Sequence, residues 1–238
     1  MRHSKGVTLI ELMISILIAS ALALMAFSLL FQQQRAWARS LAQQQLYEEG
    51  ALALTVLKDD IQHAGFAVNA NTVPALMQQA PLPVRYDASH SLLSLASYDI
   101  ADCLGRQIDA QALEQPVINQ YYVRTVEDRG PVQALFCRAF DGRAWDEVEL
   151  VRGVAAFQVR AVIWQEEEAA WRYVEPSEWL GDAQVKQIEV ELLLQHPSIR
   201  PGRMEGPFLY ENAWGQYLEF HGDAYYERFF LLAEVLNG

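Results

Sequence analysis

No proline occurs before Pro74 in this chain of 238 residues, and between Gly6 and Gly65 the sole glycine is Gly50. Nothing in that stretch therefore forces a helix to break. Cysteine occurs only twice, at Cys103 and Cys137, which excludes a C-x-x-C redox pair and a cysteine-rich zinc site. Cations are in the minority: 18 Lys and Arg against 30 Asp and Glu give a net charge of −12. A surface that acidic argues against direct DNA or RNA binding, which needs a basic footprint, and disfavours broad attachment to anionic lipid. No G-x-S-x-G, P-loop, Rossmann glycine fingerprint or H-E-x-x-H is found. His3, His63, His90, His196 and His221 are scattered without ligand spacing. No enzymatic activity, cofactor or metal site is expected. Glu166–Glu168 offers clustered carboxylates of the kind calcium favours, but without EF-hand spacing it reads as an acidic loop.

A long apolar run is present from Val7 to Phe31, uncharged except for Glu11, and a short basic leader ending at Gly6 precedes it. An ionisable group inside a bilayer costs about 2.5–3.5 kcal/mol or more, which makes Glu11 a functional residue by default. An ordinary signal peptide is one alternative, with Ala19-Ser20-Ala21 as its cleavage site. The run exceeds the roughly 7–15 residues of a signal-peptide core and matches a spanning helix instead. A plain membrane anchor is another, with Glu11 only about 6 Å along the helix from Val7 and able to reach the headgroups. Arg2 and Lys5 before the helix place the N-terminus in the cytoplasm, so everything after Phe31 faces the other side, the periplasm of a bacterial inner membrane. In that compartment a Cys103–Cys137 disulfide is permitted. It would stabilise the fold by roughly 3–4 kcal/mol in the chain-entropy model. Two buried thiols are the alternative.

The string from Gly6 through Val7-Thr-Leu-Ile-Glu11-Leu-Met resembles the class III signal of type IV prepilins and pseudopilins. The resemblance implies cleavage by a prepilin peptidase after Gly6 and N-methylation of Val7. It also implies that Glu11 neutralises the N-terminal charge of a neighbouring subunit during assembly. Val7 departs from the family's usual phenylalanine but keeps the position apolar.

From Gln32 the helix becomes polar and alanine-rich, made of good helix formers. Leu46, Gly50, Leu54, Leu57, Ile61 and Ala64 then recur at three- and four-residue steps as one apolar stripe that must pack on something. Glu48, Glu49, Lys58, Asp59 and Gln62 lie off it, and the pair Asp59-Asp60 reads as a solvated face. Gly65 is a natural C′ cap. A helix from Val7 to Ala64 would be about 87 Å long. Gly50 allows either close packing or a bend. After Gly65 the period changes to that of strands. Ser91–Tyr98, Val117–Val126, Val132–Phe140, Glu147–Val151, Val154–Trp164, Val185–Gln195 and Tyr225–Leu236 are rich in β-branched and aromatic residues. Glu127-Asp-Arg-Gly-Pro131 reads as a hairpin turn. Glu166–Gln184 and His196–Asp223 fit no element and read as long loops, candidates for subunit contacts. Trp171, Trp179 and Trp214 would alternatively cap the core.

The fold class is α+β: a long N-terminal helix, membrane-spanning in its first half, packed by its second half on an antiparallel β-sheet domain. The segments are a leader over 1–6, a transmembrane assembly helix over 7–31, an amphipathic continuation over 32–65 and a periplasmic β-rich domain over 66–238. Further strings resemble the PilW-like minor pilins in the same order. They are Leu57-Lys-Asp-Asp-Ile-Gln-His-Ala-Gly-Phe66, Asp102-Cys-Leu-Gly105, Val117-Ile-Asn-Gln-Tyr-Tyr-Val123, Leu135-Phe-Cys137 and Leu150-Val-Arg-Gly-Val-Ala-Ala-Phe-Gln-Val159. That resemblance implies a subunit that primes pilus assembly in the inner membrane and ends at or near the tip. Its partners would be other minor pilins, the major pilin, a tip adhesin and the prepilin peptidase. Twitching motility, adhesion or DNA uptake are the activities such pili serve. A J-like pseudopilin of type II secretion and a non-polymerising, membrane-anchored periplasmic binding module are the alternatives.

Overall fold

The computed structural model describes residues 9–64, 84–87, 92–97, 102–106, 117–128, 131–140, 144–165, 170–174, 185–196, 208–211, 217–220 and 225–235. Gly6, Val7, Gly65, Glu166–Glu168, Trp179 and Trp214 lie outside them. Helix α1 covers Leu9–His63, and among the described residues eleven strands follow. In chain order these are β1 (Val84–Asp87), β2 (Leu92–Ser97), β3 (Val117–Val126), β4 (Val132–Phe140), β5 (Trp145–Arg152) and β6 (Val154–Gln165). Then come β7 (Ala170–Val174), β8 (Val185–His196), β9 (Phe208–Glu211), β10 (Tyr217–Phe220) and β11 (Tyr225–Glu234). One long apolar helix with antiparallel sheet is thus the observed arrangement. The chain divides into two compact units, Met1–Gln44 and Gln45–Gly238. The second unit takes in the helix from Gln45 on.

In the first unit every large apolar side chain from Leu9 to Phe31 is more than half exposed. The serines in this stretch return their hydroxyls to the backbone. Ser15 donates to the Glu11 carbonyl at 2.8 Å, Ser20 to Leu17 at 2.9 Å and Ser28 to Met25 at 2.8 Å. The helix then presents apolar surface with its hydroxyls satisfied internally, as a hydrocarbon solvent requires.

In the second unit the helical residues Leu46, Gly50, Ala53, Leu57 and Ile61 are buried. Ala53 takes the place expected of Leu54, which is only half-buried against the core. A three-residue step from Gly50 and a four-residue step to Leu57 keep Ala53 on the same face. Gly50 serves close packing. A Cβ there would lie 2.4 Å from the Phe229 ring, which in turn meets Tyr47 at 5.9 Å between ring centres.

Among the described residues the strands form three antiparallel sheets. β1-β2-β3-β4-β5 form a five-stranded meander, β11-β8-β6-β7 a four-stranded sheet and β10-β9 a ribbon. β3 and β4 are joined as a hairpin with Val126 opposite Val132, which brackets the turn expected at 127–131. The segments read as long loops contain β7, β9 and β10, so that reading is corrected. Trp171 in β7 is exposed rather than capping the core.

The two larger sheets meet at Gly153. β5 ends at Arg152, β6 begins at Val154, and Gly153 between them has φ of 80°. Its N–H donates to the Gln133 carbonyl of β4 at 2.9 Å, and its carbonyl accepts from Gln195 N of β8 at 2.6 Å. One residue thus bonds to both sheets, in a left-handed conformation that favours glycine.

β8 carries the alternation Ile188, Val190, Leu192, Leu194, all on the core side. On the other face Glu189 and Glu191 are 2% and 1% exposed. Each has a cation: Arg160 of β6 pairs with Glu189 and Arg228 of β11 with Glu191. Buried Tyr210 of β9 lies beside Arg228 and Glu191. β8 is therefore covered on both faces, and its charges are tolerated because they are paired.

Candidate functional site

Two features stand out for function: the exposed apolar helix of the first unit, and a polar cluster inside the second. Glu11 lies in the first described turn of α1, among side chains such as Leu9, Ile10, Leu12, Met13 and Ile14 that are all exposed. The segment is long and apolar enough to cross a membrane. Asp59 is exposed, as expected, but Asp60 is not on a solvated face. Its Oδ2 accepts from Asn119 Nδ2 at 2.8 Å and from the Tyr121 hydroxyl.

Both donors stand on β3 at core-facing positions, Asn119 3% exposed and Tyr121 fully buried. Burial pushes the Asp60 carboxyl up to about 6, and the bonds from Tyr121 and Asn119 pull the other way. Burial and the neighbouring Asp60 charge push the Tyr121 hydroxyl well up, so it stays a donor at neutral pH. The Asn119 amide has one orientation that satisfies all its neighbours. Nδ2 donates to Asp60, while Oδ1 accepts from Cys103 N at 3.3 Å; the reverse would set N–H against N–H.

Cys103 is joined to Cys137, with their Cα atoms 6.5 Å apart. Cys137 is the direct partner of Tyr121 across β3 and β4. The turn carrying Cys103 is built on Asp102. Its buried carboxylate accepts from Leu104 N at 3.0 Å, Arg106 N at 2.9 Å and Arg106 Nε at 2.7 Å. Arg106 also pairs with Asp146 of β5, and the Asp102 bond, ahead of the one to Asp146, raises its pKa. Four stretches far apart in sequence thus converge: the end of α1, the Asp102 turn, β3 and β4.

The opposite face of the five-stranded sheet carries a different pattern. Arg124 lies 4.2 Å above the Phe136 ring, and Arg138 lies 4.8 Å from the Trp145 ring and 5.3 Å from Tyr122. Glu147 pairs with Arg124 and accepts from Tyr122, and the Tyr122 bond holds its carboxyl below the usual range. This face is a solvated ladder of interlocked cations, rings and carboxylates. Among the described residues, no group of His, Cys, Asp and Glu side chains could hold a metal ion.

Residues 1–27 match the family described as the prokaryotic N-terminal methylation motif. Gly6, Val7 and Glu11 all fall within the matched span. The matched motif and the apolar helix together point to membrane anchoring. Among solved structures, a type IV-like pilin from Thermus thermophilus is similar at a TM-score of 0.48 and 15% identity, over 81% of this chain and 97% of that one. No curated protein matches the chain by sequence.

Sequence reasoning missed Asp60, Asn119 and Tyr121 as a unit. A signal was present: Leu46, Ala53 and Asp60 are seven residues apart, so Asp60 shares the face of two buried residues. Likewise Val117, Asn119 and Tyr121 alternate on one side of β3.

Proposed function

We propose that this chain is a minor, PilW-like subunit of a type IV pilus. It is cleaved after Gly6, N-methylated on Val7 and held in the inner membrane by the helix over 7–31. The N-terminus is cytoplasmic and the domain periplasmic. The subunit helps prime assembly and ends at or near the pilus tip. Its work is structural: it binds other minor pilins, the major pilin and a tip adhesin, and catalyses nothing. The observation that carries this reading is Glu11, one carboxylate within an exposed apolar helix and inside the matched methylation motif. An acid there is costly in lipid, and its neutralisation by the fresh amine of an adjoining subunit gives it a use.

Mass spectrometry of the native polypeptide tests the reading. It should begin at N-methylated Val7. An intact Met1, or a start after Ala21, would identify an anchored or secreted binding module instead. Glu11→Ala should reduce incorporation into pili at least about tenfold, the loss of about 1.4 kcal/mol of subunit contact. Normal incorporation would refute the role given to Glu11. Recovery with secretion-system pseudopilins rather than pilins would shift the reading to the J-like alternative.

A further inference from the structure

Four of the five strings that resemble the minor pilins do one job together. Asp60 comes from the first, Cys103 from the second, Asn119 and Tyr121 from the third and Cys137 from the fourth. We propose that the Cys103–Cys137 disulfide is an oxidation-set latch for the end of α1. It fixes Asn119, and Asn119 with Tyr121 then holds Asp60 on the five-stranded sheet. This inference concerns the domain alone and does not rest on the assembly role.

Asn119 is buried, and its carbonyl accepts from Cys103 N. Cys103 is brought there by its bond to Cys137 on β4, beside Tyr121. The Asp102 turn holds its own shape through the bonds to Leu104 N and Arg106 N. Without the disulfide, that turn is a preformed body held, among the described residues, by the half-exposed Arg106–Asp146 pair, a contact of small worth, by the bond from Cys103 N to Asn119 and by Leu104 on the core. Once it moves, the Asn119 carbonyl loses its donor. A buried amide with an unmet group reorients, and the donor to Asp60 goes with it. Asp60 then keeps one of its two donors while still facing the sheet, with Asp59 one residue away on the helix and His63 one turn on. The last turns of α1 lose their polar anchor, although Leu57 and Ile61 remain apolar contacts.

The two thiols lose two protons and two electrons to form the S–S bond, and an incoming disulfide, on a small molecule or a donor protein, is reduced to two thiols. The consequence would be order in time: the helix end docks firmly only after the chain has met an oxidising compartment.

Amide hydrogen exchange on the full chain in detergent micelles tests this, comparing oxidised protein with protein held in a thiol reductant without denaturant. Residues 57–64 should exchange about tenfold faster or more after reduction. Residues 188–194 of β8, in the other large sheet, should keep their protection. Asn119→Ala, with both cysteines intact, should already show the fast exchange at 57–64 when oxidised, and reduction should add nothing. Unchanged protection of 57–64 on reduction overturns the proposal. So does parallel loss at 188–194, because the bridge would then staple the whole domain. Full protection of 57–64 in oxidised Asn119→Ala overturns it as well. The wild-type comparison decides even where the variant does not fold.

Discussion

Gly153 offers the sharpest test of how the two large sheets are joined. A Cβ added there would lie 2.2 Å from the Gln195 carbonyl oxygen, which is backbone and cannot swing aside. The residue also holds φ of 80°, which costs an L side chain about 1–2 kcal/mol. Moving the Gln195 carbonyl disturbs the bond in which Gln195 N donates to Gly153, and the one from Gly153 to Gln133 is next to it. Each net hydrogen bond is worth about 1 kcal/mol. Gly153→Ala should therefore cost about 3–5 kcal/mol. Gly105 is a built-in control, because it has φ of 74° and nothing within 4 Å of its missing Cβ. Gly105→Ala carries the conformational cost alone, about 1–2 kcal/mol. Urea unfolding of the full chain in micelles, followed by tryptophan fluorescence, measures both. The difference between the two variants isolates the close approach at the sheet junction. If Gly153→Ala is no worse than Gly105→Ala, the junction is not the tight crossing described, and the reasoning fails.

Asp60 gives a dependence on pH with a definite sign. Its carboxyl is raised from 3.8 to about 6 in the folded protein, so between those values the native state holds a proton that the unfolded chain has lost. This group's contribution falls as pH rises from about 4 to 6, by about 2 kcal/mol. Asp60→Asn, which retains an acceptor for Tyr121 and Asn119, should remove that slope; an identical pH profile in the variant would count against a buried Asp60. The pair of Arg160 and Glu189, 18% and 3% exposed in their side chains, should behave asymmetrically. Arg160→Met alone leaves a buried carboxylate and should cost about 3–5 kcal/mol, whereas Arg160→Met with Glu189→Leu should be within about 1 kcal/mol of wild type. Equal losses in both, by the same urea titration, would mean that Glu189 is better hydrated than its burial indicates.

The fold was largely legible because most elements obey one clean period. β3 and β4 fall at Val117–Val126 and Val132–Phe140, the ranges read from residue type and turn chemistry alone. What escaped was short or two-faced. β7, β9 and β10 have four or five residues each, too few for alternation to rise above loop composition. β8 misled in a different way. Its glutamates alternate with Ile188, Val190 and Leu192 as a solvated face would, but Arg160, Arg228 and Tyr210 cover them. Whether a charged face meets water or a partner is decided by elements distant in sequence, and no local pattern carries that information.

The polar cluster shows the same limit from inside the core. A period says which face a residue occupies and nothing about whether that face is apolar throughout. Asp60 follows Leu46 and Ala53 at seven-residue steps, so geometry placed it inward, while its charge and its neighbour Asp59 argued for solvent. Burying a carboxylate without partners costs several kcal/mol, and that cost is why the solvated reading looked sound. It fails because β3 brings two donors, Asn119 Nδ2 and the Tyr121 hydroxyl, to the same oxygen. A charged residue on an apolar stripe and an amide on a core-facing strand position are each unfavourable alone. Found together in one chain, they are evidence for each other, since each supplies the partner that makes the other's burial tolerable. The two could have been paired from the sequence by asking, for every polar residue at a core position, which other such residue would satisfy it.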